Sequence, residues 1–454
     1  MKTIFIPIFQ GFEARDILRT DIFKKLRQSD DLRIVLFLGN KEKLEYYKNQ
    51  FSESDKLIYE VFDSYRGGMI DRFFSKLKVY LLKTPTMDIK RSWKLAESGN
   101  YFRFILSWFL NRLLANGLVI KLSRFFDYHL IADQNFKKYF DLYKPDLVFL
   151  AYLFSDLETG LLREAKKRKV KSIGFVNSWD KLTSRCILRI LPDQLIVPNE
   201  ITKNEATDYQ YVPKKLIKVS GAVQFDIYQR LTFSPKEVFM KKFGLIPETK
   251  LIVFCPIGRT FSGSDWKFIE LLDGFMKNHD LADDIHILVR FPPNDIVELG
   301  DNIDKKRFSF VTPGVRFSAK RGVDWDMTED DFKELADELY HSSLVIAPTS
   351  TISIDAAILN KPIINIRFDF VPEKSYESFL RFYHSLHYQT IVESGGIRLA
   401  RDKKDLLQAI KDYLVKPELN AAGRRKIAIE QTWKLDGKAG ERVANLTLDI
   451  LNKS

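Results

Sequence analysis

Short apolar runs alternate with amphipathic stretches of helical period along nearly the whole chain. In the first half the runs predict strands over Thr3–Phe9, Leu32–Leu38, Asp146–Tyr152, Lys171–Val176, Gln194–Val197 and Leu216–Ser220. In the second half they predict strands over Leu251–Pro256, His286–Arg290, Phe308–Val311, Leu344–Ala347 and Pro362–Ile366. Between or after these, the pattern predicts helices over Trp266–Asn278, Glu329–His341, Ile352–Asn360, Ser375–His387 and Lys403–Leu414, and a helical tail over Ala421–Asn452. Such alternation is the signature of parallel α/β architecture. The fold expected is α/β, with two Rossmann-like domains facing a central cleft at the carboxyl ends of their strands, where open sheets bind ligands. The boundaries expected are residues 1–225 for the first domain, 226–246 for a linker and 247–420 for the second domain. Residues 421–454 are expected to pack back toward the first.

Residues 66–144 break the alternation. They are rich in Phe, Tyr, Trp and Leu and read as helical, and Arg66–Phe126 holds 12 Lys/Arg against 3 Asp/Glu. Uncharged runs there are far shorter than the roughly 20 residues of a spanning helix. A basic, aromatic helical insertion is expected to lie on an anionic membrane surface, with Lys76, Lys78, Lys90 and Arg91 among the charges meeting it. Over the whole chain of 454 residues the net charge is +12, and no nucleic-acid motif accompanies it. Two cysteines give neither a disulfide framework nor a metal cluster, and six scattered histidines have no metal-ligand spacing. The apolar N-terminus, interrupted by Gln10, Gly11, Glu13, Arg15 and Asp16, fits a first strand better than a signal peptide.

The candidate chemistry lies at predicted strand ends. Leu344–Ile366 reads as strand, hydroxyl turn, helix and strand, with Thr349, Ser350 and Thr351 at the helix start. Unpaired N–H groups and the helix dipole make such a turn a phosphate cradle. Asp355, one turn further, could reach a ribose hydroxyl. Arg259 and Thr260 follow one apolar strand and Arg290 ends another, and either guanidinium could fork onto a phosphate. Gly221, near the domain junction, would let a ligand approach the backbone. In the first half Asn177, Asp180 and Lys181 lie in a polar loop after a strand. Asp180 is a candidate general base, its pKa moved toward neutrality by partial burial. Glu13, in the loop after the first strand, is a second base candidate, with Arg15 as an acceptor contact. Ordinary helix capping would account for either carboxylate, and for Glu13 it is favoured over catalysis.

These pieces together resemble the GT-B class of nucleotide-sugar-dependent glycosyltransferases, especially bacterial surface-polysaccharide members and the related CDP-glycerol glycerophosphotransferases. That last family's Pro-Thr-x-Arg, Arg-x-x-Pro and Asp-Tyr-Ser-Ser elements are similar to Pro256-Ile-Gly-Arg259, Arg290-Phe-Pro-Pro293 and Pro348-Thr-Ser-Thr351 with Asp355. Its Gly-x-x-x-Asp segment looks like Gly221–Asp226, one residue longer. The family's Trp-His-Gly, whose His is its base, becomes Trp179-Asp180-Lys181, which suits a sugar transferase better than a polyol-phosphate transferase. The resemblance implies a metal-independent transfer needing no cofactor beyond the nucleotide-sugar donor, with a glycan or lipid-linked acceptor. It also implies donor binding by the second domain and a cytoplasmic enzyme, peripheral on the inner face of the cell membrane. The alternatives are a non-hydrolysing UDP-sugar 2-epimerase (whose Gly-Gly-x-x-Glu turn is replaced by Thr349-Ser-Thr), a CDP-glycerol-type transferase and a non-catalytic glycan- or membrane-binding scaffold.

Overall fold

The computed structural model describes residues 1–453 except 63, 133, 302, 318–324 and 374–376. The chain divides into two compact units, one of Met1–Arg91, Asn100–Asp226 and Thr432–Ser454, the other of Ser92–Gly99 and Ile227–Gln431.

The first unit is built on β1 (Lys2–Ile8), β2 (Leu32–Leu38), β3 (Leu57–Val61), β4 (Leu147–Leu150), β5 (Lys171–Phe175), β6 (Gln194–Val197) and β7 (Ile217–Val219). They form one sheet in the order β3-β2-β1-β4-β5-β6-β7, and every pairing is parallel. Strand side chains alternate between faces. Along β1, Ile4, Ile6 and Ile8 therefore enter one core with Ile22, Leu26 and Val443, while Phe5 enters the other with Phe37, Phe140 and Leu161. A sheet apolar on both faces must be covered on both, which is why its strands read as nearly unbroken hydrophobic runs.

Between β3 and β4 the insertion forms helices Met69–Tyr80, Pro85–Ser98, Tyr101–Leu114, Gly117–Leu130 and Lys137–Tyr143. Buried ions fasten it to the sheet domain. Asp127 accepts from Arg163 Nη2 at 2.7 Å and from Arg189 Nε at 2.6 Å, and Asp71 from Arg189 Nη2 at 2.7 Å. All four side chains are almost fully buried. Three of the cations expected to meet a membrane are instead used internally. Lys78 pairs with Asp156, Arg91 with Asp88, and Lys90 donates to the Ser184 carbonyl. The apolar surface behaves otherwise: Phe102, Ile105, Phe109 and Leu113 on one helix, and Leu118, Leu122 and Phe125 on the next, are exposed. No single helix among the described residues is long and apolar enough to cross a membrane, and the Tyr101–Leu114 and Gly117–Leu130 pair, which passes on joint length, is bent by 93°.

The second unit has β8 (Lys250–Phe254), β9 (Ile285–Arg290), β10 (Phe308–Val311), a small antiparallel ribbon of β11 (Val315–Arg316) and β12 (Trp325–Asp326), then β13 (Leu344–Ala347), β14 (Ile363–Ile366) and β15 (Arg398–Ala400). Its main sheet runs β10-β9-β8-β13-β14-β15, again all parallel. Two parallel α/β domains of this kind make the fold GT-B-like.

Five elements differ from expectation. The strands β3 and β15, two of the four sheet edges, escape the pattern because they are short and each carries a charged residue, Glu60 and Arg398. Residues 226–246 are not a separate linker: the helix Lys236–Lys241 buries Phe239 and Met240 in a core with Leu251 and Val253 of the second unit. The tail is two helices, Ala421–Thr432 and Ala439–Asn452, broken around the Asp436–Gly437 turn. The second of these packs on the Asp21–Arg27 helix of the first unit. The expected helix Ser375–His387 begins outside the described residues, and beyond them the chain forms a 3₁₀ turn, Phe379–His384, and a helix, Leu386–Glu393.

Candidate functional site

In the first unit the acidic candidates gather where β1, β4 and β5 end. β1 leads through Gln10 into a single helical turn, Gly11–Glu13, which continues as a π-helix over Ala14–Leu18. π-Helical turns are uncommon and frequent at functional sites. The turn drives Glu13 completely into the protein. One carboxylate oxygen of Glu13, Oε2, accepts from the Phe9 and Gln10 amides at 2.5 and 3.0 Å. The other, Oε1, is buried without a hydrogen-bond partner. Burial pushes the Glu13 carboxyl up to about 7, against the opposing pull of those amides and of Lys181 and Lys43.

Glu158 is its acidic neighbour. It lies in the first turn of the helix after β4, its Oε2 accepting from the Tyr152 amide at 2.9 Å and its Oε1 also orphaned. Burial, and then the neighbouring Glu13 charge, raise its pKa well above the usual carboxylate range. Two buried carboxyls this close hold at least one proton between them near neutrality. Lys181 is the matching cation. Its ammonium lies 3.9 Å from the Phe12 ring centroid and 4.7 Å from that of Tyr152, and burial lowers its pKa to about 8. Asn177 lies beside the buried Asp16, which takes a bidentate pair from Arg15 at 2.6 and 2.9 Å.

Asp180 has a plainer occupation. It precedes the short helix Lys181–Ser184 and accepts from the hydroxyls of Ser178 at 2.5 Å and Ser184 at 3.3 Å. Of the two base candidates it is Glu13 that has the environment of a tuned carboxyl. Glu158 escaped the sequence reading because Ser155-Asp-Leu-Glu158 reads as an ordinary helix start, and the Ser155 side chain does cap that helix. The available signal was an acid just beyond an apolar strand end, but the β1–β4 pairing that brings it to Glu13 is tertiary.

In the second unit β9, β8 and β13 are neighbours, so the three strand ends singled out in the sequence are adjacent. Their side chains are not equally available. Arg290 is buried, donating from Nη1 to both oxygens of Glu338 at 2.7 and 2.8 Å and from Nη2 to the Asp331 carbonyl at 3.2 Å. Its fork is filled by a carboxylate of its own unit, which corrects the expectation of a phosphate clamp. The loop after β8 is likewise occupied. Asp265 takes the amides of Ile257 and Gly258 at 3.2 and 2.8 Å, and Asp295 takes those of Thr260 and Ile296 at 3.1 and 2.8 Å. Arg259 is exposed and pairs at 3.0 Å with an equally exposed Glu298, a contact worth little in water.

At the end of β13 the Thr349 hydroxyl is buried without a partner. The Ser350 amide donates to the Tyr388 hydroxyl at 3.3 Å, and that hydroxyl donates to Asn365 at 2.8 Å. Thr351 leads the helix Ile352–Ile358 without a side-chain cap. Asp355 accepts from the Tyr228 hydroxyl at 2.7 Å. Gly221 does not open on a ligand. At φ +94° it lies against the C-terminal helix, where an added Cβ would stand 2.9 Å from both Ala439 Cβ and Arg442 Nη2. Close packing with its own chain explains the glycine.

No family model and no curated protein matches the chain. Solved structures do match it. The UDP-GlcNAc 2-epimerase of Neisseria meningitidis bound to UDP-GlcNAc has a TM-score of 0.54 at 11% identity, covering 100% of both chains. MnaA of S. aureus with UDP has a TM-score of 0.52 at 14% identity, covering 100% of this chain and 97% of that one. The wall teichoic acid polymerase TagF has a TM-score of 0.51 at 14% identity, covering 100% of this chain and 90% of that one. At such identities the likeness is one of fold: two Rossmann-like domains of GT-B type.

Proposed function

We propose that the chain is a GT-B glycosyltransferase that moves a sugar from a nucleotide-sugar donor to a glycan or lipid-linked acceptor. The observation that carries this reading is Glu13, a wholly buried carboxyl with one free oxygen and a pKa near neutrality, at the carboxyl ends of a parallel sheet. Burying an ionisable group without full pairing is costly and marks a place for chemistry. In the transfer, Glu13 takes the acceptor hydroxyl's proton as that oxygen attacks the anomeric carbon. Lys181 stabilises the ionised carboxylate, and Glu158, keeping its own proton, leaves Glu13 free to act. The bond from sugar to diphosphate breaks, and the nucleotide diphosphate departs. Thr349, Ser350 and Thr351 are the groups proposed for the diphosphate, with Arg259 able to leave Glu298 and swing onto it. Asp355 is proposed for the ribose through its Tyr228-held carboxylate.

Nucleotide-sugar ligands in the structures of similar fold support the donor class. They also favour a second reading, a sugar-nucleotide 2-epimerase, in which Glu13 abstracts a carbon-bound proton instead. A product assay separates the two: an epimerase converts the donor sugar with no acceptor present, and a transferase releases nucleotide only with acceptor. Under the transferase reading, Glu13→Gln lowers kcat by about a hundredfold to ten-thousandfold while the Kd for nucleotide, read by calorimetry, stays unchanged. Wild-type turnover in that variant would remove Glu13 from the chemistry. We place the exposed apolar side of Tyr101–Leu114 and Gly117–Leu130 against a membrane surface, where it would bring the enzyme to a lipid-linked acceptor.

A further inference from the structure

A cavity of about 630 Å³ lies in the first unit, at the amino ends of β5 and β6, whereas the Glu13 cluster lies at the carboxyl ends of the strands. Lys171, the first residue of β5, lines it, whereas Asn177, Asp180 and Lys181 follow the far end of that strand. The walls come from the Gly117–Leu130 helix, the end of the Asp156–Lys167 helix and the turn into β5, with the segment from Ile190 to Asp193. Five basic side chains line the cavity against one carboxylate, Asp193, which is held by Lys166 at 3.0 Å and by Ser172.

The other four cations have no carboxylate partner among the described residues. Lys121, Lys169 and Lys171 are exposed around the cavity. Arg124 is deeper. Its guanidinium donates to the carbonyls of Leu188 at 2.9 Å and Gln210 at 2.7 Å, and more weakly to that of Tyr211. Carbonyl dipoles fix its direction but do not neutralise it, and burial lowers its pKa to about 10. Retaining an unneutralised cation in a partly dry wall is costly unless an anion completes it. Lys169 adds to the same point, because it holds φ +60° at a helix end where glycine is the usual residue. Tyr128 gives the cavity a hydroxyl and a ring, and Phe125 leaves it through an apolar, solvent-facing rim.

We propose that this cavity is a binding site for a phosphate ester, separate from the reaction centre. Arg124 is its fixed anchor, and Lys121, Lys169 and Lys171 are its closing charges. The ester is either a lipid headgroup, reached across the Phe125 rim, or a soluble phosphate. The proposal does not rest on the transferase reading, because its residues take no part in the chemistry assigned to Glu13.

The full chain is titrated with inorganic phosphate by calorimetry, and with vesicles of phosphatidylglycerol and phosphatidylcholine by co-sedimentation. Two variants of equal charge change are compared, K121Q/K169Q/K171Q in the cavity and K305Q/K306Q/K411Q on exposed positions of the second unit. Both leave buried contacts intact, which thermal melting checks. The cavity variant is expected to lose about a hundredfold in affinity for the probe that binds, and the control less than about threefold. Phosphate binding lost in the cavity variant identifies a soluble ester. Vesicle binding lost without any phosphate binding identifies a headgroup. Equal losses in the two variants, no loss in the cavity variant, or no binding of either probe overturns the proposal.

Discussion

Glu13 shows how a single residue acquires chemistry from where the chain turns. A glutamate three residues into a helix start is usually a solvated cap. Here the cap is made, with Oε2 on the Phe9 and Gln10 amides, but the turn is buried, so the other oxygen lies in protein with nothing to accept from. The consequence is a pH dependence with a definite sign. A base must be unprotonated to work, so kcat/KM is expected to rise with pH through about 7, as Glu13 loses its proton, and then to level off. In Glu13→Gln the residual activity should lack that rise. A profile falling through the same range would instead assign Glu13 as a general acid. Arg290 is the opposite lesson. An arginine ending an apolar strand looked like a phosphate ligand, but the facing helix carries Glu338 at contact distance, and the guanidinium is spent there.

At the scale of elements, the helical insertion is tied down by charge and left apolar outside. Asp127 is the hinge of its anchoring, because it meets both Arg163 and Arg189 in a dry environment. Asp127→Ala removes a shared countercharge and leaves two buried guanidinium groups with only Asp71 and Asp156. It should cost about 3–5 kcal/mol in urea unfolding, with faster protease cleavage inside residues 66–144. A loss below about 1 kcal/mol would mean that the network is more hydrated than its burial indicates. The exposed side of the same insertion makes a separate prediction. Phe102→Ser, Phe109→Ser and Leu118→Ser together remove apolar area that is mostly exposed. They should lower vesicle binding several-fold while leaving thermal stability nearly unchanged. A drop in stability with unchanged vesicle binding would show that these side chains serve packing instead.

For the whole molecule, buried carboxyls set how stability follows pH. Glu13 and Asp265 titrate near 7 and Glu205 near 8 in the folded protein, each raised chiefly by burial from ordinary values near 4. The folded state then binds more protons than the unfolded state between those limits. The stability these groups confer is complete below the unfolded values and is lost as pH rises through 7 and 8. His286, buried, and His341, half-buried, have lowered pKa values and act in the opposite sense only below their ordinary range of about 6.5. Between pH 6.5 and 8 these three carboxyls outweigh Lys181, which opposes them only as it begins to lose its proton near 8, and the melting temperature is expected to fall across that interval. A flat or rising melting temperature there would mean that these carboxyls are ionised and solvated in the folded protein.

Much of this protein was written locally. Continuous apolar runs such as Thr-Ile-Phe-Ile-Pro-Ile are what a strand covered on both faces requires, so the two parallel sheets could be read directly, with most helices of the second unit. The edge strands β3 and β15 could not, being short and interrupted by Glu60 and Arg398, although the edges β7 and β10 could. The chemistry divided in the same way. Sequence placed Glu13, Asp180, Arg259, Arg290 and Thr349 near strand ends, which is a statement about backbone order. Which of them keep a free polar atom depends on partners far along the chain: Glu158 beside Glu13, Glu338 on Arg290, Ala439 against Gly221. Local pattern fixes where the backbone goes because hydrophobic burial is periodic and additive. Ion pairing and desolvation depend on what fills the last few ångströms around a charge, and only the tertiary structure decided that.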